Sequence, residues 1–524
     1  MSGAQPRSEV SALQSAFKVA AFAFVLTSCT AWLRPLLLPD EGRYAGVAWE
    51  MLRSGDWLTP TLNGLAYFHK PPLFYWITAA SLGTFGLNEW AARVAPAIGF
   101  TLAVASPFWL LARWLSPSHA RLALFALAAQ PLLLVGGQYA NLDMLVAGLI
   151  TLTVVLLAHA ELLIDEGSPH ARSTLRGAWA AAALGVLAKG LIGIVIPAGI
   201  IGCWLIASGR WRSIIRTLVG CPEGPLIFLL LAAPWFIAME FIHPGFLDYF
   251  FVYQHFTRFA TGGFNNPQPI WFYPAVLALF FLPWIVWITR RAFAPRLPKG
   301  RARDLVLLAW VWAAVVVAFF SAPRSKLLGY VLPAVPALAL LATAGLLARG
   351  EPSARARRLW SAASAFGLTA SLAAVVFIAF RPLPSSRELA LIIAEQSRGS
   401  EPVFMIGRFD FDTGLYARLH EPIRVVERWD DEALIRSRDN WRKELSEARR
   451  FSPAIGDRTL ITPERLAAQL CASTPSWIIG FSQAVGDHAV LGAATRVRDW
   501  RESSLWRFDP TTPAAAAFCA TVQR

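Results

Sequence analysis

Asp40-Glu41-Gly42-Arg43-Tyr44 stands directly behind Pro39, at the end of the first long apolar run of this chain. Two carboxylates where a spanning helix leaves the bilayer cost free energy unless water, a cation or a bound partner receives them. That makes the cluster a candidate active site, with carboxylates as the groups able to move a proton or orient a substrate. Asp143, after Asn141-Leu142, opens another apolar run. Lys70 and His69 lie in Tyr67-Phe68-His69-Lys70-Pro71-Pro72, His255 and Arg258 in Tyr253-Gln254-His255-Phe256-Thr257-Arg258, and Arg324 and Lys326 shortly before Tyr330. Plainer readings stand beside these. Glu41 suits the first turn of a helix, where a carboxylate complements the helix dipole. Asp40 and Arg43 have the spacing of a structural ion pair, Asp143 that of a helix cap, and Lys70 can snorkel to headgroups.

The elements that must position these residues are mostly membrane helices. Of 524 residues, 56% are hydrophobic and only 16% charged, against about 25% charged in soluble domains. Apolar spans are expected at 16–38, 91–111, 121–138, 142–163, 175–188, 190–208, 224–242, 271–289, 305–321, 327–348 and 359–380. This makes eleven spans, or up to thirteen where short segments hide. Tyr44, Val47, Ala48, Met51 and Leu52 share one helix face just after Asp40. Pro71–Phe85 reads as a juxtamembrane helix lying in the interface, since a crossing there would invert the charge alternation downstream.

The net charge of +14 is explained by topology. Connections 112–121, 164–176, 209–216, 290–303 and 349–358 together hold seventeen Lys or Arg against three acids. Basic loops mark the cytoplasmic side, so nucleic acid is excluded as a partner and membrane lipid is the natural one. Parity then puts Asp40, Asp143, the 243–270 loop and Lys326 together on the outer face. The spans carry few charges at mid-depth, where a transporter would need them. An enzyme acting at the outer surface fits better than a channel or pump.

Three regions follow: a cytoplasmic N-terminus (1–15), a transmembrane catalytic domain (16–384) whose first external loop is 39–90, and an extracytoplasmic domain (385–524). The N-terminus lacks a small-residue cleavage pattern and reads as a retained signal anchor. Short β-like runs at Val403–Ile406, Ile423–Val426 and Trp477–Ile479 alternate with helical stretches such as Trp441–Arg450, suggesting a small α/β domain. It shows no catalytic motif, and a packing role is its default. The five cysteines lack metal-type spacing; Cys471 and Cys519 can pair if this domain is extracytoplasmic.

In this order, Asp40-Glu41-Gly42-Arg43-Tyr44, Glu50 to Trp57, Lys70-Pro71-Pro72 with Tyr75-Trp76, Asn141-Leu142-Asp143, Leu187-Ala188-Lys189-Gly190, His255 to Phe259 and Arg324-Ser325-Lys326 with Tyr330 resemble the GT-C glycosyltransferases that use polyprenyl-phosphate sugars. The likeness covers roughly residues 15–380. It is strongest to the aminoarabinose lipid A transferases (glycosyltransferase family 83), relatives of the protein O-mannosyltransferases. The resemblance implies a multi-pass inner-membrane enzyme with a periplasmic active site and a periplasmic C-terminal domain. It would transfer a sugar, with inversion, from undecaprenyl phosphate to an envelope acceptor such as lipid A. Asp40 matches the catalytic Asp and Asp143 the second acidic residue, with Glu41 beside them. Lys70 matches the lysine near the donor phosphate, to which Arg43, Arg258, Arg324, Lys326 and Tyr330 are added, while Tyr44, Tyr67 and His255 are expected to touch substrate. Where that family has Glu before the first-loop lysine and can hold zinc, this chain has His69. His69 and His255 are the candidate metal ligands, and the change puts aminoarabinose specificity in question. The alternatives are a flippase of lipid-linked sugars and an O-mannosyltransferase-like enzyme with a protein acceptor.

Overall fold

The structure is a computed structural model that describes residues 8–257, 266–288, 300–348, 350–397, 401–437, 439–485 and 488–522. Its contacts divide the chain into two compact units. One comprises Met1–Leu33, Lys70–Phe74 and Arg93–Ile378, and the other Arg34–His69, Tyr75–Ala92 and Ala379–Arg524.

The first unit is helical. Among the described residues, seven helices are long and apolar enough to cross a membrane: Glu9–Ser28, Val94–Trp114, Leu142–Asp165, Glu223–Ile242, Arg301–Ser321, Leu328–Leu347 and Ala354–Ala379. At about 1.5 Å per residue, each reaches roughly the 30 Å of a hydrocarbon core. The other four expected spans also contain helices, shorter or less apolar. Pro131 and Pro283 interrupt two of them, giving Pro117–Ala128 with Pro131–Gly136, and Phe272–Phe280 with Ile285–Ile288; proline cannot donate the helical hydrogen bond. Ala171–Lys189 carries Arg172 and Arg176, and Ile192–Ala207 has only 16 residues. The first helix ends at Ser28, ten residues before its expected end; Pro35 and Pro39 oppose helix in the residues before them.

Leu142–Asp165 is buried along most of its length, and small residues let it approach Val94–Trp114 closely. A Cβ on Gly99 would meet the Met144 carbonyl oxygen at 2.2 Å, and one on Gly148 would meet Gly99 O at 2.2 Å. By contrast, Glu9–Ser28, Glu223–Ile242 and Ala354–Ala379 leave most of their apolar surface uncovered, as lipid-facing helices do.

The second unit is α/β. Strands β1 (Thr61–Leu62) and β2 (Leu65–Ala66) form a hairpin. Its turn residues Asn63 and Gly64 both have positive φ (55° and 75°), the pairing a tight two-residue hairpin demands. The main sheet contains β3 (Val403–Ile406), β4 (Arg424–Val426), β5 (Leu460–Ile461), β6 (Ser476–Phe481), β7 (Thr495–Trp500) and β8 (Ser503–Phe508), in the order β5-β4-β3-β6-β8-β7. Strands β5, β4, β3 and β6 run parallel; β8 is antiparallel to β6 and to β7. Phe404, Ile406, Val426, Ile478, Trp506 and Phe508 form the core beneath helices Pro463–Cys471 and Pro513–Val522. A disulfide, Cys471–Cys519, joins those two helices. The expected β runs at 403–406, 423–426 and 477–479 are therefore strands, and Trp441–Arg449 is a helix. The expected juxtamembrane segment forms Leu73–Phe85, whose 13 residues span about 20 Å, too short to cross.

First-loop residues pack on C-terminal residues within this unit. Asn63 exchanges hydrogen bonds with the Ile423 backbone (2.8 and 2.7 Å), the Ala66 amide donates to Ser452 Oγ, and the Leu36 amide donates to the Tyr416 hydroxyl.

Candidate active site

Asp40, Glu41, Arg43, Tyr44, Tyr67 and His69 fall in the second unit. Lys70, Asp143, His255, Arg324, Lys326 and Tyr330 fall in the first, while Arg258 lies outside the described residues.

In the second unit, helix Asp40–Ser54 begins directly behind Pro39, with Asp40 and Glu41 in its first turn. Glu41 is fully buried. It accepts hydrogen bonds from both terminal nitrogens of Arg34 and, at 3.0 Å, from the Leu37 amide. These bonds to Arg34 and Leu37 pin the turn that presents its neighbour. Asp40 keeps about a third of its side chain exposed (34%) and accepts from Arg43 Nη2 at 2.9 Å. Gly42 is a close approach: a Cβ there would lie 2.8 Å from Leu38 Cδ2 and 3.0 Å from Asp412.

Arg43 is the hub. Its Nη1 donates to Glu444 Oε1 at 2.7 Å, and its guanidinium carbon lies 5.1 Å from the centre of the Phe411 ring. Burial opposes its charge, but Glu444, then Tyr67, Tyr44 and Asp40, hold its pKa well above the usual value. The Tyr67 hydroxyl donates to the other Glu444 oxygen at 3.4 Å, and burial followed by the Glu444 charge pushes that phenol upward. Tyr44 is buried 6.3 Å from Tyr75, ring to ring. The His69 ring lies 4.4 Å from that of Tyr67, tilted by 34°, with Nε2 3.7 Å from Glu447.

A second cluster lies in the first unit. Asn141 Oδ1 accepts from the Asp143 amide and starts helix Leu142–Asp165. The Asp143 carboxylate, nearly buried, pairs with Lys189 at the last residue of Ala171–Lys189. Lys189 Nζ sits 4.4 Å over the Tyr330 ring, and Gly329 leaves room for Asp143, since a Cβ there would meet its Oδ2 at 2.1 Å. Lys326 is buried and donates to the carbonyls of Gln268 (2.8 Å) and Pro323 (2.6 Å). Arg324 is exposed and Lys70 half-buried. The backbone of His255 belongs to the π-helical segment Asp248–Thr257.

Two participants were not selected from the sequence. Lys189 stands in the sequence only as part of Leu187-Ala188-Lys189-Gly190, and nothing in its neighbours names Asp143 as its partner. Glu444 sits in a strongly charged helix that reads as a solvated face. As for a metal, no three His, Cys, Asp or Glu side chains gather to hold one among the described residues. The His255 side chain lies outside the described residues.

Fold and clusters together define a multi-helix integral membrane protein with an added α/β unit. ArnT from Cupriavidus metallidurans, crystallised with undecaprenyl phosphate, superposes with a TM-score of 0.77 at 24% identity, over 94% of this chain and 98% of that one. Residues 15–250 match the dolichyl-phosphate-mannose-protein mannosyltransferase family. Within the class, the chain resembles the aminoarabinose transferases. The undecaprenyl phosphate-alpha-4-amino-4-deoxy-L-arabinose arabinosyl transferase of Aeromonas hydrophila is 33% identical over 386 residues, 71% of this chain and 66% of that protein. Transferase 1 of Sodalis glossinidius is 36% identical over 321 residues, 59% of this chain and 55% of its own length. The chain thus spans between about half and two thirds of the curated relatives it matches.

Proposed function

We propose that this protein is a membrane glycosyltransferase that moves a sugar from a polyprenyl phosphate, such as undecaprenyl phosphate, to a cell-envelope acceptor such as lipid A, with inversion. The observation that carries this reading is Asp40: a carboxylate one-third exposed, aimed by Arg43 from the first turn of a helix just after the first span. The relatives named as arabinosyl transferases support the donor class.

In the reaction, the bond from the sugar's anomeric carbon to the phosphate oxygen breaks as one to an acceptor oxygen forms. Positive charge grows on the sugar and negative charge on the departing phosphate. Asp40 takes the proton of a hydroxyl acceptor, or, for an already ionised acceptor, orients it and steadies the oxocarbenium-like carbon. Lys70, Arg258, Arg324 and Lys326, with Tyr330, are assigned to the phosphate, where fixed cations favour the transition state over the ground state. Asp143 is the second acidic residue, and Lys189 pairs with it. Glu41 is assigned to positioning rather than proton transfer because it is fully enclosed. Tyr44, Tyr67 and His255 are assigned to the substrate side.

The inner membrane is the proposed location, with residues 385–524 in the periplasm. The loop charge asymmetry supports this, as does the Cys471–Cys519 disulfide, a bond at home in oxidising compartments.

Asp40→Asn in membranes supplied with a polyprenyl-phosphate sugar should lose transfer by roughly 10²–10⁴-fold at normal expression. Full turnover by that variant would overturn the assignment. The mannosyltransferase family match favours a second acceptor class, protein hydroxyls. Mass spectrometry of lipid A and of envelope proteins, with and without the gene, separates the two.

A further inference from the structure

Arg43 is shared. One end of its guanidinium holds Asp40 at 2.9 Å and the other holds Glu444 at 2.7 Å, although 401 residues separate Arg43 from Glu444. Glu444 is buried in helix Trp441–Arg449 and also accepts from the Tyr67 hydroxyl, so its two oxygens have separate partners. A buried carboxylate fixed on both oxygens is a rigid counter-charge. The geometry points to Glu444 as a positioning residue: it divides Arg43 with Asp40 and thereby sets both the aim and the basicity of Asp40. The role in transfer rests on the function proposed above; the effect on Asp40 itself does not.

Without the Glu444 charge, the whole field of Arg43 falls on Asp40. The carboxylate is then held more tightly and becomes a weaker base. The titratable groups around Arg43 are Asp40 and Tyr44 on its own helix, Tyr67 after β2, Tyr75 on Leu73–Phe85, and Glu444. Burial raises the pKa of Tyr67 and Tyr75, so neither phenol competes in the acid range, and the site-specific midpoint reports on Asp40 itself.

The test uses the full-length protein in membranes, with Glu444→Gln, Glu444→Asp, Arg43→Gln and the double variant Arg43→Gln/Glu444→Gln. Two readouts are needed. The first is the pH midpoint for amidation of Asp40 by a water-soluble carbodiimide, followed by mass spectrometry, which requires no substrate. The second is sugar transfer, split into kcat and donor KM. For Glu444→Gln we expect the Asp40 midpoint, and the acid limb of kcat/KM, to move down by about one pH unit. We also expect kcat to fall about tenfold with donor KM nearly unchanged. Glu444→Asp should restore the midpoint, and the double variant should be no slower than Arg43→Gln alone, as for residues acting through one another. An unmoved midpoint with an unchanged kcat overturns the inference, as does full additivity in the double variant. A shifted midpoint in a protein that transfers no sugar would uphold the Glu444–Arg43–Asp40 coupling and overturn the transferase reading instead.

Discussion

A carboxylate that gives up water must receive a charge or several hydrogen bonds in exchange, and the second unit shows both solutions. Glu41 has Arg34. Asp412 has no such cation; it accepts from the hydroxyls of Ser385 (2.6 Å) and Ser386 (2.7 Å) and from the Ser386 amide (3.0 Å). Burial, then the nearby Asp410 charge, pushes its pKa up to about 7 from an ordinary 3.8. The folded state therefore keeps its proton to higher pH than the unfolded chain. The stability this carboxyl lends is complete below pH 3.8 and is lost as pH rises through 7. Asp412→Asn should melt above the parent at pH 8, with the gap closing toward pH 4 in tryptophan-fluorescence melts of purified protein; a pH-independent gap would contradict this. At this scale the sequence was informative where a charge stood out from apolar surroundings, as Asp40, Asp143 and Lys326 do. Glu444 and Asp412 sit among many charged neighbours, and only their burial distinguishes them.

Helices carried a clear signal because hydropathy needs no partner to be read. Each of the eleven expected spans contains helix, and prolines explain the broken ones. Register between helices carried almost none, because it depends on which small residues meet. Gly99 illustrates this: its neighbour is the Met144 backbone, which cannot rotate away. Gly99→Ala should push Val94–Trp114 and Leu142–Asp165 apart and destabilise the protein by about 1–3 kcal/mol, the usual cost of overpacking. Thermal melts in detergent would check it, with Gly202→Ala as a control, since nothing lies within 4 Å of that position. The sheet shows the same division. Apolar runs identified β3, β4 and β6, but β7 carries three charged residues among its six and is largely exposed, so only its pairing with β8 reveals it.

Across the whole chain, the least legible feature was that first-loop and C-terminal residues build one compact unit. Contacts nearly 400 residues apart leave no local pattern. The Cys471–Cys519 bridge staples that unit, closing a loop of 48 residues, which chain-entropy arguments value at about 4 kcal/mol. Cys471→Ser with Cys519→Ser should lower the melting temperature of the α/β unit while leaving the proposed transfer measurable at low temperature; an unchanged melt would deny the bridge that role. The shared Arg43 has a further consequence in time. Ribosomes add about 5–20 residues per second, and 401 residues separate Arg43 from Glu444. The nascent loop therefore waits roughly 20–80 s with its guanidinium hydrated before its second carboxylate is synthesised. On the role proposed for Asp40, competence for its chemistry arrives only once helix Trp441–Arg449 has been made, so synthesis of that helix acts as a built-in release signal.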